Sequence, residues 1–203
     1  IVLICNICYI MKPKVTKKYV GLFIQNSLQR TLEIFFLYPE KEFSLSDLAK
    51  EAKVAKPHIG AILSKLEHLG FITITKLTKI WRIKANQQNE NFIKSKIIYN
   101  LDFIYQSGLV KVLNEHFNNP KAIILFGSFR RGEDFSTSDI DIAIEIDETG
   151  EYKTTRLKTL IHFEQIINRK IQIHVFNRKD IDNHVFNNIA NGIVLSGFLE
   201  VKL

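Results

Sequence analysis

At 203 residues, with 46% hydrophobic and 24% charged side chains and a formal net charge of +7, the chain is long enough to bury one large core or two small ones. Its composition excludes both an intrinsically disordered chain and a membrane-embedded one. The charge is unevenly placed: residues 1–86 hold 14 Lys/Arg and 6 Asp/Glu, net +8, and residues 87–203 hold 14 and 15, net −1. A polyanion such as nucleic acid is therefore an expected partner of the N-terminal part, with a merely soluble basic surface as the alternative that composition leaves open.

The first ten residues, IVLICNICYI, are about half the ~20 apolar residues needed to span a bilayer and lack the basic flank of a signal peptide. No membrane association is expected. Because MKPKVTKK follows directly, Met11 reads as the natural start and residues 1–10 as a translated upstream extension, with 1–16 as a whole outside the folded part. Cys5 and Cys8 form a lone C-x-x-C with no second pair to complete a zinc site. Such sparse cysteine usage fits a reducing cytoplasm.

From Lys17 to Tyr38, apolar residues at Val20, Phe23, Ile24, Leu28, Leu32, Phe35 and Phe36 keep helical spacing, and Pro39 closes the run. Ser46 is the expected cap of a short second helix with Asp47 in its first turn; after Val54-Ala55 a third helix opens with Pro57 and ends at Gly70. Ile59, Ile62, Leu63, Leu66 and Leu69 give this third helix an inward face and leave Lys56, His58, Ala61, Lys65 and His68 toward solvent. FITITKLTKIWRIK then reads as two alternating strands turning near Leu77 to Lys79. The polar stretch Lys84 to Asn91 sets the expected boundary: a first domain over 17–85, a linker over 86–91 and a second domain over 92–203.

Helix, short helix, turn, helix and basic hairpin, with SLSDLAKEAKVAKPHIGAILSKLEHLGFI at its centre, resembles a winged helix-turn-helix domain. The resemblance implies that the third helix can enter a DNA major groove through Lys56, His58 and Lys65, while Lys76, Lys79 and Arg82 on the hairpin touch phosphate, with protein docking, which winged helices also serve, as the alternative. His58 and His68 are too far apart on one helix to share a metal. Regulators of this kind commonly read two half-sites, which leaves a homodimer open.

After helical patterns over Phe92–Tyr105 and Leu109–Phe117, KAIILF is a short apolar strand that stops at Gly127-Ser128. Glycine there permits a tight turn and close approach to a ligand, and Ser128 adds a hydroxyl and an N–H suited to phosphate; Arg130 and Arg131 add cations, and Gly132 lets the chain leave the turn. Ser138 to Ile144 alternates like a strand with one buried face, which points Asp139 and Asp141 the same way, roughly 6.6 Å apart. Two such carboxylates bracket a cation or a pair of cations, and magnesium, which completes its shell with substrate phosphates, is the reasonable choice. An isolated D-x-D would be only a solvated strand face.

Strand, Gly-Ser, ten residues, Asp-x-Asp on the next strand resembles the signature of the DNA polymerase β-type nucleotidyltransferase superfamily, especially its minimal members. The resemblance implies an α/β domain with a small mixed sheet, Gly127, Ser128 and Arg131 on a nucleoside triphosphate, Asp139 and Asp141 holding one or two Mg²⁺, and attack of a hydroxyl on the α-phosphate with loss of pyrophosphate. The family's third carboxylate is absent. The strand KIQIHVF puts Gln172 at that position, a neutral carbonyl that cannot act as a base, and His174 one pleat further, read as a sheet-surface histidine unless it faces the site. Glu145 and Asp147 are expected to be solvated.

Two functions are expected from these features. In one, the protein moves a nucleoside monophosphate, AMP from ATP above all, onto a hydroxyl of a partner protein; small members beside a toxin act as antitoxins on a HEPN-type ribonuclease. In the other, the transferase fold is degenerate and serves a DNA-binding transcriptional regulator as a nucleotide sensor or docking module.

Overall fold

The computed structural model describes residues 26–77, 80–147 and 151–201. The proposed extension over residues 1–16, Cys5, Cys8, Met11 and the hairpin's Lys79 lie outside the described residues. No described helix is long and apolar enough to cross a membrane.

Among the described residues, the N-terminal part has three helices and a hairpin: α1 (Ser27–Leu37), α2 (Leu45–Glu51), α3 (Lys56–His68), β1 (Ile72–Lys76) and β2 (Trp81–Ala85). This is the winged helix-turn-helix arrangement. α1 is described from Ser27, where the extended Asn26 caps it by accepting the Gln29 N–H. α2 is capped by Ser44, not Ser46, because Ser44 is the residue in extended backbone whose hydroxyl accepts the Asp47 N–H, while Ser46 is already helical. Ile59, Leu63 and Leu66 of α3 are fully inside, whereas Leu69, expected inward, is 46% exposed because the helix has ended at His68. Phe43 bonds Ile83 through both main-chain groups and stacks edge-on against Phe35, tying the hairpin to α1.

The helix α4 (Glu90–Gln106) starts inside the stretch expected to be a linker, capped by Asn89. Its two ends serve different cores. Phe92 packs with Phe36 at 5.2 Å in the winged-helix core, while Phe103 and Ile104 pack on the C-terminal sheet.

The C-terminal part runs α5 (Leu109–His116), β3 (Ala122–Phe126), α6 (Gly127–Arg131), β4 (Ile140–Glu145), β5 (Lys153–Thr155), α7 (Ile161–Ile167), β6 (Ile171–Phe176), α8 (Asn183–Ala190) and β7 (Ile193–Gly197). The sheet order is β5-β6-β4-β3-β7, mixed, with β4 and β6 parallel and the other pairs antiparallel. One face, with Ile123, Leu125, Ile142 and Ile173, lies under α4, α5 and α7; the other, with Ile124, Ala143 and Phe176, packs against Ile189 of α8. β4 is thus covered on both faces, not one. Glu145 is consequently buried at 4% exposure instead of solvated, with its Oε2 lacking a hydrogen-bond partner, and burial pushes its carboxyl above the usual range. Asp147 is exposed and pairs with Lys121 at 2.5 Å.

Where the two parts meet, Asp134 forms a buried ionic hub. Its carboxylate lies 3.0 Å from Lys96 Nζ and 3.4 Å from an Arg169 nitrogen, and it accepts the Asn100 amide at 3.0 Å. Arg169 also donates to Leu37 O at 2.6 Å, and Glu40 accepts from the Ser136 N–H and hydroxyl. The winged helix therefore touches the same loop that leads to Asp139. Burial lowers the Lys96 pKa against the opposing pull of Asp134.

Candidate active site

The site forms where β3 ends and β4 begins. The antiparallel register sets Phe126 beside Asp141, so the Gly127-Ser128 turn sits directly over that carboxylate. Gly127 has φ +75°, and a Cβ added to it would stand 2.3 Å from Asp141 Oδ2. Glycine is required there twice over, by backbone and by contact. Gly132, at φ +69°, ends α6, and an added Cβ would press on the main chain of α4 at Ile93.

Asp139 immediately precedes β4 and Asp141 is its second residue; both are partly exposed, their side chains 31% and 25% accessible. Asp139 Oδ2 faces an Arg156 nitrogen at 3.4 Å. Asp141 Oδ1 faces His174 Nε2 at 3.2 Å, and the Nδ1 of the same ring is 2.5 Å from the Tyr152 hydroxyl. The Phe126 ring stacks edge-on against His174 at 4.9 Å. His174 is therefore no surface histidine: it is 7% exposed, with the Phe126 and Tyr152 rings and the Asp141 carboxylate against it. Gln172 lies beside Asp141 in the parallel register, at the place where the sequence pattern calls for a third acid.

Arg131 behaves differently from the aspartates. It is exposed, and its guanidinium pairs with Glu133 at 2.7 Å. Arg156 and Tyr152 escape sequence reasoning, since neither lies in a motif; the folding of the β5 region against β6 brings Arg156 to Asp139 and Tyr152 to His174. Among the described residues, no group of three or more His, Cys, Asp or Glu side chains is placed to hold a metal ion. The pair Asp139 and Asp141, two partly exposed carboxylates two residues apart, nevertheless has the donor chemistry for magnesium.

Residues 108–197 match the family described as Polymerase beta, Nucleotidyltransferase. A candidate protein adenylyltransferase of Methanocaldococcus jannaschii, MJ1215, is 42% identical over 64 residues, which is 31% of this chain and 71% of that protein. The chain belongs to the polymerase beta nucleotidyltransferase family. A second relative of this nucleotidyltransferase from the same organism, the candidate protein adenylyltransferase MJ1379, is 36% identical over 74 residues, 36% of this chain and 71% of that protein. Among solved structures, MepR, a transcription regulator of the Staphylococcus aureus multidrug efflux pump MepA, aligns over 46% of this chain and 68% of its own at 18% identity and TM-score 0.36. The transcriptional regulator PA4135 aligns over 46% of this chain and 76% of its own at 19% identity and TM-score 0.32. These two alignments add nothing to the element order by which the N-terminal part of the nucleotidyltransferase is a winged helix.

On that winged helix, Lys56, His58 and Lys65 are exposed along α3. Lys76 Nζ stands 4.7 Å over the Trp81 ring, and Arg82 is paired with Glu42 at 2.5 Å. The first three are thus held on one helix, while Lys76 is partnered by Trp81 within the hairpin and Arg82 by Glu42 of the segment before α2.

Proposed function

We propose that this nucleotidyltransferase moves AMP from ATP to a hydroxyl of a partner protein, and that its winged helix binds DNA. The observation that carries the reading is the packing of Gly127 on Asp141: the Gly-Ser turn that ends β3 stands directly against one carboxylate, with the second carboxylate two residues away. The names carried by the two archaeal relatives support a protein acceptor.

In this reading Gly127 and Ser128 offer main-chain N–H groups and a hydroxyl to the triphosphate. Arg156, now on Asp139, supplies positive charge that moves to phosphate oxygens when the nucleotide arrives, and Arg131 exchanges Glu133 for phosphate. Magnesium, held by Asp139 and Asp141, would neutralise charge on the transferring and leaving phosphates. His174 holds Asp141 by its Oδ1 and leaves Oδ2 toward Gly127. Gln172 contributes a neutral carbonyl. The chain's own part is positioning: acceptor oxygen, α-phosphate and pyrophosphate must be brought in line. An acceptor of the HEPN-type ribonuclease class, with the protein as its antitoxin, is the finer form of this proposal, and cytoplasm is its setting.

Gln172 in place of an acid favours a second reading, a DNA-binding regulator that senses nucleotide without turnover. One experiment separates the two. The purified protein is incubated with Mg²⁺, each of the four nucleoside triphosphates labelled at the α-phosphate, and a lysate of its own cell, beside the Asp139→Asn/Asp141→Asn double variant. A labelled acceptor that disappears with the double variant supports the transferase. No label, with nucleotide still bound at equilibrium, supports the regulator.

A further inference from the structure

Tyr152 stands immediately before β5, half-buried in the apolar cluster that includes Phe126, with its hydroxyl 2.5 Å from His174 Nδ1. His174 Nε2 is in turn 3.2 Å from Asp141 Oδ1. Hydroxyl, imidazole and carboxylate are linked in series, in the order nucleophile, proton acceptor and orienting group that activates hydroxyls for covalent chemistry elsewhere. The series ends on one of the two aspartates of the transferase site. The residue before the Gly-Ser turn, Phe126, packs against the middle member at 4.9 Å. The tyrosine thus belongs to the wall of the site.

We propose that Tyr152 is a self-modification site, at which the protein places a nucleoside monophosphate on its own phenolic oxygen. The proposal rests on the transferase reading above and names one acceptor within the chain. The chemistry required of an acceptor is a hydroxyl, and Tyr152 presents one already bonded to a ring nitrogen. In the step, Tyr152 Oη forms a bond to the α-phosphorus of ATP. The bond from that phosphorus to the bridging oxygen of the β-phosphate breaks, and pyrophosphate leaves with the electron pair. The phenolic proton passes to His174 Nδ1, while the Nε2 hydrogen stays directed at Asp141. No oxidant, reductant or second substrate is needed.

The surroundings of Tyr152 permit the movement this requires. β5 is a three-residue strand at the end of the sheet order, and among the described residues it pairs with β6 alone, through Lys153, Thr154 and Thr155, which leaves Tyr152 outside that ladder. Its neighbours Glu151 and Lys153 are exposed. A shift of the ring toward the phosphates leaves the pairing of β3, β4 and β6 intact. Once modified, the tyrosine would carry its nucleotide against the site that made it and compete with incoming ATP.

The test uses the full chain, purified and incubated with Mg²⁺ and ATP without lysate, and reads intact mass, the position of the adduct by peptide mapping, and ATP binding by equilibrium dialysis before and after incubation. The expected result is a gain of one AMP mapped to Tyr152, absent from Tyr152→Phe and from Asp139→Asn/Asp141→Asn, with less ATP bound by the modified chain. Tyr152→Phe keeps the ring and removes only the hydroxyl; if that variant fails to fold, the mapped position on the wild-type chain decides alone. An adduct that persists in Tyr152→Phe, or maps to another residue, overturns the proposal. A chain that labels a lysate acceptor but never itself also overturns it and leaves the transferase standing. Label on neither removes both.

Discussion

Asp141 is held from two sides, by the Cα of Gly127, where a Cβ would meet its Oδ2 at 2.3 Å, and by His174, whose Nε2 meets its Oδ1 at 3.2 Å. A side chain at residue 127 must therefore either displace the carboxylate or move the turn, and it must do so at φ +75°. Gly127→Ala is expected to cost about 1–3 kcal/mol of stability through backbone strain. It should weaken nucleotide binding by roughly tenfold or more, equivalent to about 1.4 kcal/mol. Thermal unfolding and equilibrium nucleotide titration check the two effects separately; unaltered affinity in a folded variant would remove the turn from the site.

Gln172 lies in register with Asp141 on the neighbouring parallel strand. Gln172→Asp restores an acid at that point, and a third carboxylate beside two others should tighten binding of Mn²⁺, used as a probe, by about tenfold, or ~1.4 kcal/mol. Calorimetric titration of the free protein reads this directly. An unchanged or weaker affinity would show that residue 172 faces away from the cation.

Asp134 neutralises Lys96 and Arg169 in a place where the side chains of all three are 1% exposed. Asp134→Ala leaves two buried cations without their carboxylate and is expected to destabilise the fold by about 3–5 kcal/mol. Lys96→Met removes one cation, keeps Asp134 paired with Arg169, and should cost less. Denaturant midpoints rank the two; equal midpoints would mean that water reaches the hub.

Glu145 has its carboxyl raised from 4.5 by burial, with Arg178 and Lys121 pulling it the other way. A carboxyl whose folded pKa lies above its unfolded one holds more protons in the folded state, so stability falls as pH rises from about 4.5 through the folded value. Glu145→Gln removes that dependence. The variant should be more stable than the wild type at neutral pH and lose its advantage at pH near 4, as followed by urea unfolding across the range.

Lys56 and Lys65 are exposed on α3. If that helix meets phosphate, replacing both with Ala should lower affinity for a fragment of the protein's own upstream DNA and reduce the salt slope by about 1 to 2, at ~0.9 for each phosphate left without its lysine. Fluorescence anisotropy over a salt series supplies both numbers. An unaffected slope would move DNA binding elsewhere on the molecule.

Most of the helices and strands are readable because each carries a local signal: the 3.6-residue spacing of Ile59, Leu63 and Leu66, the apolar run of β3, the Gly-Ser that stops it. The aspartate pair is legible for the same reason, its members being two residues apart. The departures have one cause in common. Local periodicity places Ser46, Leu69, Glu145 and His174 from their own segments, and each outcome is set by something beyond it: where α2 and α3 begin and end, the burial of both faces of β4, and the Phe126 and Tyr152 rings against His174. Arg156 and Tyr152 carry no signal at all, since their place beside Asp139 and His174 depends on strand pairing across 17 and 22 residues.

The helix α4 lies before the family-matched segment, which begins at residue 108. Its Lys96 and Asn100 complete the Asp134 hub, its Phe103 and Ile104 enter the transferase core, and its Phe92 enters the other. The smallest piece that keeps the Asp134 hub whole is therefore larger than the recognisable motif region: a graft that carried the Gly-Ser and Asp-x-Asp without α4 would arrive with an ionic centre half built. Whatever either half senses, a substitution on this one helix reaches the packing of both.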